Sequence, residues 1–242
     1  MTAGPFARLK MRLGREWRRL RRPVVEVHGV RLRLGRHMSP WVEDVVLNGT
    51  YESDECQLLG EVLEAQDIVL EVGSGLGVVS TLCARRVGSE RVFTYEANPD
   101  LEPWIRETWA LNGVHPMLTL CAVGAEDGEV VFYRDTHLWS SSVVPRTPEM
   151  RPVRVAMRSL TREAARYRPT VLIVDAEGAE REMFRGTELP TVTRMVVELH
   201  ERVIGPEGVA QARADLTALG FVEDAALSRG EQLVLRRPAV PA

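Results

Sequence analysis

The sequence predicts one α/β domain built on a mostly parallel, doubly wound sheet, and three observations predict it. From Asp67 onward the apolar runs DIVLEV, RVFTYE, MLTLCAV, TVLIVDA and TRMVVELH alternate with helical segments near 77–87, 99–111, 178–186 and 206–219. Near-continuous Val, Ile and Leu in strands separated by helices is what a sheet covered on both faces requires. The first run leads directly into a glycine-rich turn that opens a helix, an arrangement suited to a nucleotide-like ligand. At 242 residues, 45% apolar and 27% charged, the chain has room for one such domain with short additions and carries globular rather than disordered composition. The expected organisation is a basic amphipathic helix over 1–22, a hairpin and helices over 23–65, and the sheet domain over 66–242.

In chain order, Phe6, Leu9, Leu13, Trp17 and Leu20 fall at steps of three and four among eight basic residues within the first 22 positions. Such a helix packs its stripe on the domain, docks on an acidic partner, or lies on an anionic membrane through residues 6–22. Pro23 ends it, and VVEVHGVRLRLG alternates as a hairpin turning at His28-Gly29. Helical stretches follow around 40–48 and 53–64, the second with Ser53 as its expected N-cap. Beyond the third apolar run, EVVFYRD and VRVAM are strand candidates joined by HLWSSSVVPRTPEMR, a loop long enough for a lid or binding role. The tail FVEDAALSRGEQLVLRR reads as two final strands around a turn, the last expected antiparallel.

The balance of 31 basic and 34 acidic residues, net −3, gives no drive toward nucleic acid. No run approaches the roughly 18 apolar residues a spanning helix needs. The start MTAGPFARLK lacks a secretory apolar stretch, so a cytoplasmic protein is expected, with peripheral membrane contact as a variant. Cys56, Cys83 and Cys121 are odd in number and lack metal-ligand spacing, which argues for core side chains rather than a disulfide or zinc site.

Chemistry concentrates at strand ends. In Glu71-Val72-Gly73-Ser74-Gly75-Leu76-Gly77 the glycines allow a tight turn and close backbone approach. A dinucleotide turn needs G-x-G-x-x-G, but position 78 is Val. A carboxylate two places before the first glycine suits a cationic amine, which favours S-adenosylmethionine over NAD. About twenty residues on, Glu96 ends a strand, where a carboxylate accepts bonds from ribose hydroxyls. Val174-Asp175-Ala176-Glu177-Gly178-Ala179-Glu180 puts three carboxylates at another strand end, Glu177 and Glu180 being equally suited to charging a helix's first turn. A further strand ends in Glu198, Leu199 and His200, the histidine a candidate base.

EVGSGLGVVS, TYEANP, CAVGAEDGEVVFY, VLIVDAEGAEREMFRG and VVELH together resemble the FkbM family of S-adenosylmethionine-dependent methyltransferases, over roughly residues 40–200. Glu71 stands where that family usually has Asp, while DAEGAE follows its D-x-E-G-x-E element. The resemblance implies a class I Rossmann-like methyltransferase acting on a hydroxyl of a sugar, glycolipid or polyketide-type product. It implies Glu71, Gly73, Ser74 and Gly75 at the methionyl end, Gly77 keeping the helix close, and Glu96 at the ribose. Ala97, Asn98, Cys121, Ala122 and Val123 would flank the adenine, and Asp175 would lie near the methionyl group or the acceptor oxygen. His137, Trp139, Ser140, Ser141 and Ser142 form a candidate acceptor surface, with Trp139 equally suited to anchoring its loop.

In-line attack of a neutral hydroxyl calls for a base, for which Asp175, Glu177 and His200 are candidates. A magnesium ion held by Asp175 and Glu177 is a second route to the same end. An NAD-dependent oxidoreductase and a non-catalytic nucleoside-binding protein remain the competing readings, and homo-oligomerisation is left open.

Overall fold

A computed structural model of the chain describes residues 20–35, 38–134 and 150–238, together with Gly14, Trp17, Pro145 and Pro148. His137, Trp139, Ser140, Ser141 and Ser142, and most of the basic N-terminal segment, lie outside the described residues.

Strand β1 (Val24–Val27) and strand β2 (Val30–Arg33) form the expected hairpin, His28 and Gly29 both turning through positive φ. The hairpin docks through Arg33, which pairs with Glu107 at 2.7 Å, and through Asn112. Helix α1 (Pro40–Leu47) is capped by Ser39, whose hydroxyl accepts from the Val42 N–H. Helix α2 (Ser53–Val62) differs from expectation: its N-cap is Glu52, in left-handed backbone at φ 49°, and Ser53 is already helical.

The main sheet comprises β3 (Val69–Val72), β4 (Val92–Glu96), β5 (Met117–Leu120), β9 (Val171–Val174), β10 (Arg194–Glu198), β11 (Val222–Glu223) and β12 (Gln232–Arg236). Their order is β11-β12-β10-β9-β3-β4-β5. Strands β5, β4, β3, β9 and β10 pair in parallel, and β12 runs antiparallel to β10, as expected for the tail. Helix α3 (Val78–Val87) follows β3, and helix α4 (Glu102–Asn112) follows β4 after a short 3-10 turn. Chain order reverses between β3 and β9, the switch point where open α/β sheets bind ligands.

Alternation along the strands divides the core. Leu70, Val72, Leu172, Val174 and Met195 face one helical layer, and Val69, Val92, Val171, Ile173 and Val196 face the other. The first layer contains helix α7 (Glu201–Ala218), which contributes Ala212 and Leu216. That helix starts earlier than the sequence suggests and bends at Gly205, because its φ of 69° is not helical and Pro206 has no N–H to donate. At the opposite edge from the ligand side, buried Asp67 accepts from Thr170 at 2.7 Å and from Arg194 at 2.6 Å, tying the starts of three parallel strands together.

The run MLTLCAV is not one strand. A tight turn at Cys121 sends Ala122–Gly124 (β6) into a separate sheet of order β6-β8-β7, with β7 (Gly128–Arg134) and β8 (Arg151–Ser159). Helix α5 (Leu160–Tyr167) returns the chain to the main sheet. The helix expected over 178–186 is reduced to α6 (Glu180–Met183), since Gly178 and Gly186 at its flanks both hold positive φ. Among the described residues, no helix is long and apolar enough to cross a membrane.

Candidate active site

The loops leaving β3, β4, β5, β9 and β10 enclose a cavity of about 490 Å³ at the switch point, within the size range of small-molecule sites. Its base is a backbone contact. Gly73, at φ 92°, passes so close to the start of the next loop that a Cβ there would sit 1.8 Å from the Asp175 carbonyl oxygen. The Gly73 N–H donates to Tyr95 O and the Asp175 N–H to Val72 O, both at 2.9 Å, extending the parallel ladder beyond the strands. Gly77 serves helix packing, for a Cβ would come within 3.0 Å of the Trp109 indole nitrogen.

Glu96 lies on the cavity wall, buried, and accepts from the backbone N–H groups of Ser74 and Gly75 at 3.2 Å and Asn98 at 2.7 Å. It therefore holds the glycine turn in shape while remaining on the wall. Burial raises its pKa to about 7 against the lowering effect of those bonds. Ala97, Asn98, Cys121, Ala122 and Val123 line the same side, so the residues expected around an adenosine are brought together. Ser74 is buried beneath the turn, outside the lining.

Glu71 is placed elsewhere than at the ligand. Alternation turns it toward the layer of Val69, and in the parallel register it stands opposite Thr94, whose hydroxyl donates to it. Buried there, its pKa rises to about 8, mainly through loss of water, and it is absent from the cavity wall.

Across the cavity, acidic side chains gather around His200. The imidazole is buried, with Nδ1 3.0 Å from Glu180 Oε1, while Nε2 lies 3.3 Å from Asp175 Oδ1, 3.6 Å from Glu198 Oε1 and 3.8 Å from Glu177 Oε2. Glu180 is fully buried and accepts from the N–H groups of Ala176 and Gly178, so it shapes the loop after β9 and orients His200. Burial alone would lower the His200 pKa, but the Glu180 hydrogen bond and the charges of Glu180, Glu177 and Glu198 outweigh it and raise it to about 9. The raised pKa favours the imidazolium form, which suits His200 to act as a charge partner of the surrounding carboxylates.

Asp175 Oδ1 accepts no hydrogen bond, although the side chain keeps 36% of its surface open. Desolvation and the charges of Glu177, Glu55, Glu52 and Glu180 raise its pKa well above the usual carboxylate range. Asp175 lines the cavity, where its carboxyl group can meet a proton of a bound ligand.

Among the described residues, two sets of three could each bring one ligand atom within 4.8 Å of the others: Asp175 with Glu180 and His200, and Asp175 with Glu55 and Glu198. Glu177 belongs to neither set.

Several lining residues were not singled out as site residues by sequence reasoning. Trp41 from α1 and Tyr51, Glu52 and Glu55 beside or within α2 close the cavity from the N-terminal side. Gln232 at the start of β12 donates to both Glu55 and Glu198. Arg202 and Arg229 complete the rim. Glu52 and Glu177 both hold left-handed backbone at φ 49°, an uncommon state for glutamate that clusters at functional sites. Tyr51-Glu52 opens the stretch that resembles the family, but a left-handed glutamate and a side chain brought in from a distant turn have no periodic signature that would give them a site role.

A parallel sheet in this order, with a glycine turn after its first strand and a carboxylate ending its second, defines a class I Rossmann-like methyltransferase fold. The chain belongs to the FkbM methyltransferase family, whose domain matches residues 67–222. The hexuronic acid methyltransferase AglP of Haloferax volcanii is 26% identical over 191 residues, covering 77% of each chain. Among solved structures, the ribosomal protein L11 methylase of Lactobacillus delbrueckii subsp. bulgaricus is 13% identical with a TM-score of 0.47, covering 79% of this chain and 80% of its own. The Pyrococcus abyssi tRNA (uracil-54, C5)-methyltransferase is also 13% identical, with a TM-score of 0.49 over 88% of this chain and 42% of its own.

The imidazolium reading has a direct check. A folded-state pKa above the ordinary 6.5 stabilises the fold fully below that value, and the contribution is lost as pH rises through about 9. NMR titration of His200 should give a midpoint near 9, and a midpoint at or below 6.5 would return it to the role of base.

Proposed function

We propose that the protein is an S-adenosylmethionine-dependent O-methyltransferase acting on a hydroxyl of a sugar or sugar-containing acceptor. The observation that carries this reading is the division of one cavity between two walls. Glu96 with Ala97, Asn98, Ala122 and Val123 forms a nucleoside-compatible side, and Asp175, partly exposed and 3.3 Å from His200 Nε2 through Oδ1, stands on the other. The name of AglP supports a sugar as acceptor.

The cavity fits a cationic ligand. Glu52, Glu55, Glu96, Asp175, Glu177 and Glu198 all line it, and burial together with mutual repulsion raises several of their pKa values. A positive charge placed among them relieves that repulsion, which an uncharged or anionic cofactor would not do. In this reading Glu96 accepts from the ribose hydroxyls, Ala97, Asn98, Ala122 and Val123 flank the base, and the backbone of Gly73 and Gly75 with Asp175 borders the methionyl part. Bound there, S-adenosylmethionine supplies a methyl group on a sulfonium, whose C–S electron pair stays with sulfur when the methyl leaves.

The chain's own task is then to position a hydroxyl and remove its proton. Asp175 takes that proton as the new O–C bond forms. His200, held by Glu180, keeps the Asp175 carboxylate in place and limits how far its pKa rises. Gln232 fixes Glu55 and Glu198 relative to each other on the acceptor side.

Asp175→Asn keeps the shape of the side chain while removing the base. Transfer of labelled methyl from S-adenosylmethionine to a sugar hydroxyl, read by mass spectrometry, should fall at least 1,000-fold, about 4 kcal/mol of transition-state stabilisation. Affinity for S-adenosylhomocysteine should change less than about 10-fold. Undiminished turnover would remove Asp175 from the mechanism.

We also propose that the N-terminal segment meets an anionic membrane surface. Trp17 and Leu20 of its apolar stripe are 56% and 70% exposed rather than packed on the domain, and the Arg21 guanidinium lies over the Trp17 ring at 5.3 Å. Deleting residues 1–22 should lower binding to vesicles containing anionic lipid several-fold without changing cofactor affinity. Equal vesicle binding would exclude this role.

A further inference from the structure

Besides His200, the acceptor side of the cavity holds two arginines among many acids. Arg202, the second residue of α7, is exposed on the cavity rim and makes no ion pair or hydrogen bond among the described residues. Arg229, in the turn before β12, is likewise exposed, and among the described residues its guanidinium bonds only to the neutral Gln57 side-chain oxygen at 3.0 Å. Several arginines elsewhere meet carboxylates, as in Arg22 and Arg33 with Glu107, Arg134 with Asp100, and Arg236 with Asp224, while Arg31, Arg85 and Arg237 bond to backbone carbonyls. Arg202 and Arg229 share the cavity lining with Glu177, Glu198 and Glu231, yet neither forms an ion pair among the described residues.

The third feature is Trp41. Its ring is 68% exposed and lines the same cavity. A large apolar face left open at a cavity mouth is suited to stack on the apolar face of a sugar ring. Alone, a Trp platform would take neutral and charged sugars alike. Cavity electrostatics separate the two: the carboxylates around Asp175 repel an anion, so an acidic acceptor enters only where fixed cations offset that field. Guanidinium groups pair with carboxylate and phosphate in planar, two-bonded geometry.

We infer that the acceptor is an acidic sugar whose ring lies on Trp41 and whose carboxylate or phosphate is held by Arg202 and Arg229, leaving a hydroxyl to face Asp175. This deepens the methyl-transfer reading and rests on it. Arg202, Arg229 and Trp41 act in recognition and take no part in proton removal.

The test uses the full chain loaded with S-adenosylhomocysteine and titrated calorimetrically. The probes are methyl glucuronide and methyl galacturonide, their neutral counterparts methyl glucoside and methyl galactoside, and glucose 6-phosphate. An acidic probe should bind at least 10-fold more tightly than its neutral counterpart, with the uronides and the phosphate reporting which anion is preferred. In the double variant Arg202→Gln with Arg229→Gln that preference should shrink to less than 2-fold. Neutral-sugar affinity should be unchanged, as should S-adenosylhomocysteine affinity, which certifies the fold. Trp41→Ala should weaken acidic and neutral sugars alike, by about 10-fold. Neutral sugars binding as well as acidic ones, an acid preference surviving in the double variant, or no binding of any sugar to the loaded protein would each overturn the inference. Failure to bind S-adenosylhomocysteine would instead overturn the methyl-transfer reading beneath it.

Discussion

At the switch point of the sheet, the backbone of Gly73 rests against the carbonyl of Asp175 with no room for a side chain between them. That contact joins the ends of β3 and β9, the two strands from which the chain winds outward in opposite directions. The glycine turn that follows β3 then has one course, fixed from the other side by the Glu96 carboxylate on the N–H groups of Ser74 and Gly75. Asp175 is carried to the cavity by the same contact. The first glycine of the motif therefore serves strand-to-strand approach within the protein, rather than leaving space for a ligand.

Once the strand ends are so close, their carboxylates are close as well. Asp175, Glu177, Glu180 and Glu198 surround a single imidazole, and Glu52 and Glu55 approach from the N-terminal helices. In water two such charges about 4 Å apart would repel by about 1 kcal/mol, but near a protein surface by about 4 kcal/mol. His200 offsets part of this by remaining protonated. Desolvation first, and then the remaining repulsion, raise the proton affinity of Asp175, and a sulfonium or an ammonium placed there would relieve that repulsion.

The sheet was legible in the sequence because buried parallel strands are continuous apolar runs and their connecting helices are of ordinary length. Departures arose where one residue redirects the chain. Cys121 turns what reads as a single strand from one sheet into another, and Gly178 and Gly186 cut a helix to one turn. At the site, strand-end residues such as Glu96, Asp175 and His200 were visible because strand ends are recognisable. Glu71 was assigned toward the ligand because its charge suits a cation, but the period of two in a strand turns it into the opposite layer, onto Thr94. Trp41, Glu55, Arg202 and Arg229 stayed hidden because their partnership is made by the fold, across more than a hundred residues, and leaves no spacing to read.

Cofactor class is the claim on which the others stand, since charge, loop shape and the role of Asp175 are all read from a cationic, nucleoside-bearing ligand. Calorimetric titration of the full chain with S-adenosylhomocysteine and, separately, with NAD addresses it directly. The account predicts saturable S-adenosylhomocysteine binding with Kd on the order of 1–100 μM, about −8 to −5 kcal/mol, and no measurable heat with NAD. Binding of NAD alone would contradict it.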